Sequence, residues 1–132
     1  MKSTGTRILL IVAGLILVIV GAAILFLPHG FYESNGTILG SEASLLSEIR
    51  ASGGLLLVCG IVVAAAAFRS SMHRQALALS ALVFLAYGLA RLASLVMDGI
   101  PSTSLLFSTG IELLVGALCV LAMRKYPEFK LV

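Results

Sequence analysis

"ILLIVAGLILVIVGAAILFL" (residues 8–27) runs without a single charged residue until Pro28 stops it. At 1.5 Å of helical rise per residue, about 20 such residues cross the ~30 Å hydrocarbon core of a bilayer. Lys2 and Arg7 ahead of the run, and Gly21-Ala22-Ala23 near its end, imitate a secretory signal. A signal's apolar region is only about 7–15 residues long, so the run is expected to persist as a first transmembrane helix.

Three further apolar runs lie C-terminal to it, at about 49–68, 75–97 and 103–123. No alternating strand pattern accompanies them, and only helices or closed barrels satisfy the backbone in lipid. The composition agrees. Hydrophobic residues make up 60% of the 132-residue chain, against roughly 45–50% in a soluble domain, and the mean hydropathy is +1.13. A soluble fold this small could not hide so much apolar surface. The expected architecture is all-α: one integral membrane four-helix bundle over residues 1–132, with a long first outer loop at 28–48.

The net charge of +3 comes from cations at the ends of the runs: Lys2, Arg7, Arg69, Arg74, Arg124, Lys125 and Lys130. With four spans, all of these fall on one side. Glu33, Glu42, Glu48 and Asp98 fall on the other. The positive-inside rule then predicts cytoplasmic N and C termini in a bacterial inner membrane. No basic stripe or aromatic platform goes with the charge, so nucleic acid is not an expected partner.

The connections are unequal. "RSSMHR" (69–74) and "DGIPS" (98–102) are tight links, with Asp98-Gly99 as a turn signal and Ser102 as the N-cap of the last helix. The 28–48 segment has enough apolar side chains, Phe31 and Tyr32 among them, to lie on the bundle as a lid. Asn35-Gly36-Thr37 forms a glycosylation sequon but reads better as a glycine turn. Small residues offer close helix approach: Gly14 and Gly21, then Gly53, Gly54 and Gly60, then Ala86, Ala90 and Ser94, then Gly110 and Gly116. Cys59 and Cys119 sit deep in apolar runs and read as packing residues.

Charge inside the spans is scarce, so each such residue carries weight. "LSEIRASGG" (46–54) places Glu48 and Arg50 at the outer lip of the second span. Tyr87, Arg91 and Asp98 share one face of the third, with Arg91 roughly 10 Å below Asp98. Glu112 in the fourth lies roughly 15 Å below Ser102, close to the depth of Arg91. Charged groups at such depth are costly and are expected to be paired or hydrated. The expected site therefore comprises Arg50, Arg91, Glu112, Glu48, Asp98 and Tyr87. Arg50 and Arg91 would face an anionic group, Glu48, Asp98 and Glu112 would be counter-charges, and Tyr87 a hydrogen-bonding wall. Three roles fit these residues: a lock on helix register, a ligand or ion site, and catalysis. Ser108 and Thr109 lack a base-and-orienter pair beyond Glu112. No catalytic residue, cofactor or metal is assigned, since His29 and His73 fall on opposite sides of the membrane.

"SEIRASGG" (47–54), the stretch from Arg91 to "DGIPS", and Glu112 together resemble an uncharacterised bacterial family of about 120–130 residues, a domain of unknown function with four membrane spans. The resemblance implies a fold and a membrane location and no activity. A remote similarity to DoxX-like four-helix proteins adds little. Small multidrug exporters carry a glutamate in the first helix, and claudin-like proteins a Trp-containing loop motif with two cysteines. This chain has neither feature.

The expected function is non-enzymatic: binding an amphipathic, lipid-like ligand, or serving as an accessory subunit, through the polar cluster in the outer half of the bundle. The alternative is a small transporter or intramembrane enzyme using Glu112 and Arg91. Membrane lipids, a lipid-like small molecule, and a second copy or a larger membrane complex are the expected partners.

Overall fold

The computed structural model describes residues 2–127, with side chains from Thr4 onward. Lys130 and the side chain of Lys2, counted above among the cations, lie outside the described residues. Five α-helices and one short 3₁₀ turn make up the regular structure among these residues: α1 (Lys2–Phe26), α2 (Pro28–Ser34), α3 (Ala43–Ala66), the turn Ser70–Met72, α4 (His73–Asp98) and α5 (Thr103–Met123). Helices α1, α3, α4 and α5 are each long and apolar enough to cross a membrane. The molecule is a multi-pass helical bundle.

Proline decides the first break. Pro28 lacks an N–H and crowds the residue before it out of the helical region, and Leu27 accordingly takes φ −130° and ψ 54°. Pro28 then opens α2 at its first turn, where the missing N–H costs nothing. Asn35 ends α2 with its Nδ2 donating to the Phe31 carbonyl at 2.9 Å, and Gly36 turns the chain at φ +80°.

The segment expected to be a 28–48 loop is largely helical. Residues 28–34 form α2, and α3 begins at Ala43, ahead of the apolar run. Hydropathy marks where lipid begins, whereas a helix continues wherever backbone bonds and propensity allow. "ASLLSE" (43–48) meets the second condition and not the first.

Two antiparallel pairs build the bundle, α1 with α3 and α4 with α5, and the pairs meet across a narrower contact. The α1–α3 seam brings backbone against backbone. A β-carbon on Gly21 would stand 2.4 Å from the Leu57 amide nitrogen, and one on Gly60 would stand 2.6 Å from that of Val18. Gly14 and Gly53 are equally crowded, against Ala64 and Leu25. In the α4–α5 seam glycines receive side chains instead: Leu113 covers Gly88, and Leu85 covers Gly116.

Some of the expected small-residue contacts do not form. Ala86, Ala90 and Ser94 are exposed, because α4 turns Gly88 to α5 and Leu77, Ala81 and Phe84 to the core. Gly54 and Gly110 have open space where a β-carbon would project.

The two ends of the bundle differ in charge. Arg7, Arg69, Arg74, Arg124 and Lys125 gather at one end, and Glu33, Glu42, Glu48 and Asp98 at the other. The half towards the basic end is tightly packed: Leu10, Ala13, Val63, Ala67, Leu77 and Cys119 are all fully buried. His73 is fully buried there too. Its Nε2 lies 3.0 Å from the Ala67 carbonyl oxygen, an acceptor only, so that nitrogen carries the proton. In the neutral ring Nδ1 is then left to accept from the Tyr126 hydroxyl at 3.3 Å. Arg74 donates to the Tyr126 carbonyl at 3.0 Å. The clamp ties the segment after α5 to the start of α4.

Candidate functional site

Towards the acidic end the two helix pairs separate, leaving a cavity of about 530 Å³ between them. That volume lies within the roughly 300–1,000 Å³ of ordinary ligand pockets. The deep wall is apolar, formed by Ile16 and Leu17 of α1, Leu56 of α3, and Val83 and Phe84 of α4. Arg91, Glu112 and Tyr87 form the polar part of the wall, and Tyr32, Asn35 and Thr37 stand at the mouth.

The expected meeting of Arg91 and Glu112 is present. Arg91 Nε donates to Glu112 Oε2 at 2.9 Å and to Oε1 at 3.2 Å. The side chains are 34% and 15% exposed respectively, so the pair is part-sheltered at the cavity wall. Because Nε makes both contacts, the terminal Nη1 and Nη2 groups carry no hydrogen bond among the described residues. The Tyr87 hydroxyl has none either.

The rest of the expected cluster does not assemble. Arg50 is exposed, and its Nη1 donates to the Leu25 carbonyl, one of the last carbonyls of α1, which lack intrahelical partners. It reaches α1 because α3 packs antiparallel on α1, with Gly53 of the next turn against Leu25. Glu48 is exposed and makes no ion pair among the described residues. Asp98 accepts from Ser94 Oγ at 2.8 Å, and the residues between it and Arg91 amount to roughly 10 Å of helix. Arg50, Glu48 and Asp98 all lie outside the cavity lining. Ser102 precedes α5, yet its hydroxyl makes no cap bond within that helix. It donates instead to the Asn35 carbonyl at 2.8 Å.

That last bond reveals what sequence reasoning missed. Ser104 Oγ also donates to Asn35 Oδ1 at 3.1 Å, so the end of α2 is pinned to the start of α5 across the mouth. Phe31 and Tyr32, packed edge to face at 5.6 Å, are thereby held in the cavity wall. The Asn-Gly turn marked a bend but carried no sign of its partner. At the basic end the His73–Tyr126 contact was missed as well; a polar ring opening an apolar helix was the available signal.

Ser108 Oγ donates to the Ser104 carbonyl at 3.0 Å and Thr109 Oγ1 to the Leu105 carbonyl at 2.8 Å. Each hydroxyl is thus bonded to the helix backbone and neither is bonded to Glu112. Among the described residues no three His, Cys, Asp or Glu side chains converge as a metal site.

No curated protein matches the chain, and no solved structure does, so the remote DoxX-like similarity gains no support from them. A family model does match, over residues 5–123, which takes in α3, α4, α5, all but the first three residues of α1, and every residue of the cavity. The chain belongs to that family, described as a domain of unknown function (DUF4345).

Proposed function

We propose that this protein binds an amphipathic, lipid-like molecule in the cavity between the two helix pairs, without enzymatic activity, in a bacterial inner membrane. The carrying observation is the gradient along the cavity wall, from an apolar floor to the Arg91–Glu112 pair and Tyr87. An apolar pocket with a few convergent polar groups is the usual form of a small-molecule site. Arg91, Glu112 and Tyr87 would meet the polar end, and the floor would take the hydrocarbon. The positive-inside rule supports a cytoplasmic basic end, which opens the cavity towards the outer face. The packed half argues against a transport path, since Leu10, Val63 and Leu77 close it below the floor.

Ala90 is small, exposed and in the lining, so Ala90→Trp fills the cavity without disturbing the packed half. Native mass spectrometry of protein extracted into phospholipid nanodiscs should find a lipid-like mass retained by the wild type. Ala90→Trp should lose it at an unchanged melting temperature. A wild type that always emerges bare would refute the reading.

A further inference from the structure

We infer that the head group taken by this cavity is uncharged and rich in hydrogen-bond acceptors, an ester- or ketone-type carbonyl on a hydrocarbon chain, and not an anionic group. The inference rests on the binding reading above and adds the chemical class of the ligand.

The hydrogen bonds already made decide what is left to offer. Ser52 Oγ donates to the Ile49 carbonyl at 2.8 Å, Ser94 to Asp98 at 2.8 Å, and Ser108 to the Ser104 carbonyl at 3.0 Å. A hydroxyl has one proton, so these three lining serines have none to give. Asn35 gives one of its two amide N–H groups to the Phe31 carbonyl. Beside Glu112 the unspent donors are the Nη1 and Nη2 groups of Arg91 and the hydroxyl of Tyr87, and at the mouth the second N–H of Asn35 and the hydroxyls of Tyr32 and Thr37 add to them. A guanidinium has five N–H groups in a fixed fork. Using Nε on Glu112 leaves the terminal edge pointing as a pair of donors. The matching ligand group brings acceptors.

Charge selects among acceptors. Arg91 is already neutralised by Glu112 at 2.9 Å. An uncharged carbonyl adds hydrogen bonds to a neutral pair. A carboxylate, phosphate or sulfonate would leave an uncompensated negative charge at a part-sheltered site, which is costly. The approach to the cavity reinforces this. Four carboxylates, Glu33, Glu42, Glu48 and Asp98, stand at this end, with Arg50 the one Lys or Arg besides Arg91 there among the described residues. Asp98 is bonded to Ser94 of the lining, and Glu33 follows Tyr32 at the mouth. This rim repels an arriving anion.

Shape sets the remainder. From Arg91 to Phe84 the wall descends roughly 10 Å along α4, at 1.5 Å per residue, and ends on the packed half. A hydrocarbon chain running down that floor would have its head at Arg91.

The test uses two photoactivatable alkyl-diazirine probes of equal chain length, a methyl ester and a sulfonate, in phosphatidylcholine nanodiscs holding the full chain. Cross-links are mapped by mass spectrometry at Val83 and Phe84 and compared with Leu82, which is exposed away from the core at 69%. The ester should label the floor severalfold more than the sulfonate. Glu112→Gln, which leaves Arg91 cationic, should reverse the order. Equal or stronger floor labelling by the sulfonate in the wild type overturns this inference and leaves the binding reading intact. Floor labelling no higher than at Leu82 with both probes overturns the binding reading itself. The wild-type comparison decides between these outcomes even where Glu112→Gln fails to fold.

Discussion

The two halves of this bundle are made from the same four helices and do opposite things. Towards the basic end the helix pairs close on each other, and even a histidine is sealed in with both ring nitrogens in contact. Towards the acidic end the pairs part around a cavity of about 530 Å³. Side-chain size differs between the two halves. Small Ala13, Ala66, Ala67 and Ala76 let the pairs approach in the closed half. The larger Phe84, Tyr87 and Arg91 line the α4 side of the opening in the other. Apolar burial in lipid has no hydrophobic drive behind it, so packing and hydrogen bonding must keep the halves distinct.

The sharpest way to break that contrast is at the seam common to both halves. Gly21→Val would drive a branched side chain into the Leu57 backbone. Backbone cannot rotate aside, so the loss should reach the top of the overpacking range, about 3 kcal/mol or more. Thermal unfolding in detergent micelles measures it, and a variant as stable as the wild type would show that α1 and α3 are not locked.

A smaller effect is expected at the ion pair in the open half. Arg91→Ala leaves the Glu112 carboxylate, 15% exposed, without its partner. A fully buried pair broken in this way costs about 3–5 kcal/mol. Partial exposure reduces that, because solvent screens the pair, and about 1–3 kcal/mol is expected. Replacing both residues with leucine should recover most of it. Should the double variant stay as unstable as Arg91→Ala, the pair does more than balance its own charges.

The smallest effect has the opposite sign. A β-carbon at Gly54, in the open half, would meet nothing within 4 Å. Gly54→Ala should therefore raise stability by up to about 1 kcal/mol through helix propensity alone, again read by thermal unfolding. A loss would mean that Gly54 is covered by a contact outside this chain, such as a second copy.

Much of the fold was legible because bilayer thickness imposes a length on apolar runs, and all four expected spans are helices here. Helix ends were less legible: residues 43–48 and 28–34 are helical without being apolar enough to register as membrane. In the candidate site, the Arg91–Glu112 pair followed from matched depth on neighbouring antiparallel helices. Arg50, Glu48 and Asp98 were grouped with it on depth alone. Depth says nothing about rotation around the helix axis or about competing acceptors, and Arg50 found one at Leu25. Asn35 joins Ser102 and Ser104 across 67 and 69 residues of sequence, a distance over which no local pattern carries information.

The sequence by itself determined that this chain is a four-span membrane protein with its charges sorted to the two ends, because transfer of side chains between water and hydrocarbon depends on local composition. Only the tertiary structure decided which half closes and which polar groups line the opening. Those outcomes depend on how glycine, alanine and aromatic side chains on different helices meet, and that is settled only when the helices are packed together.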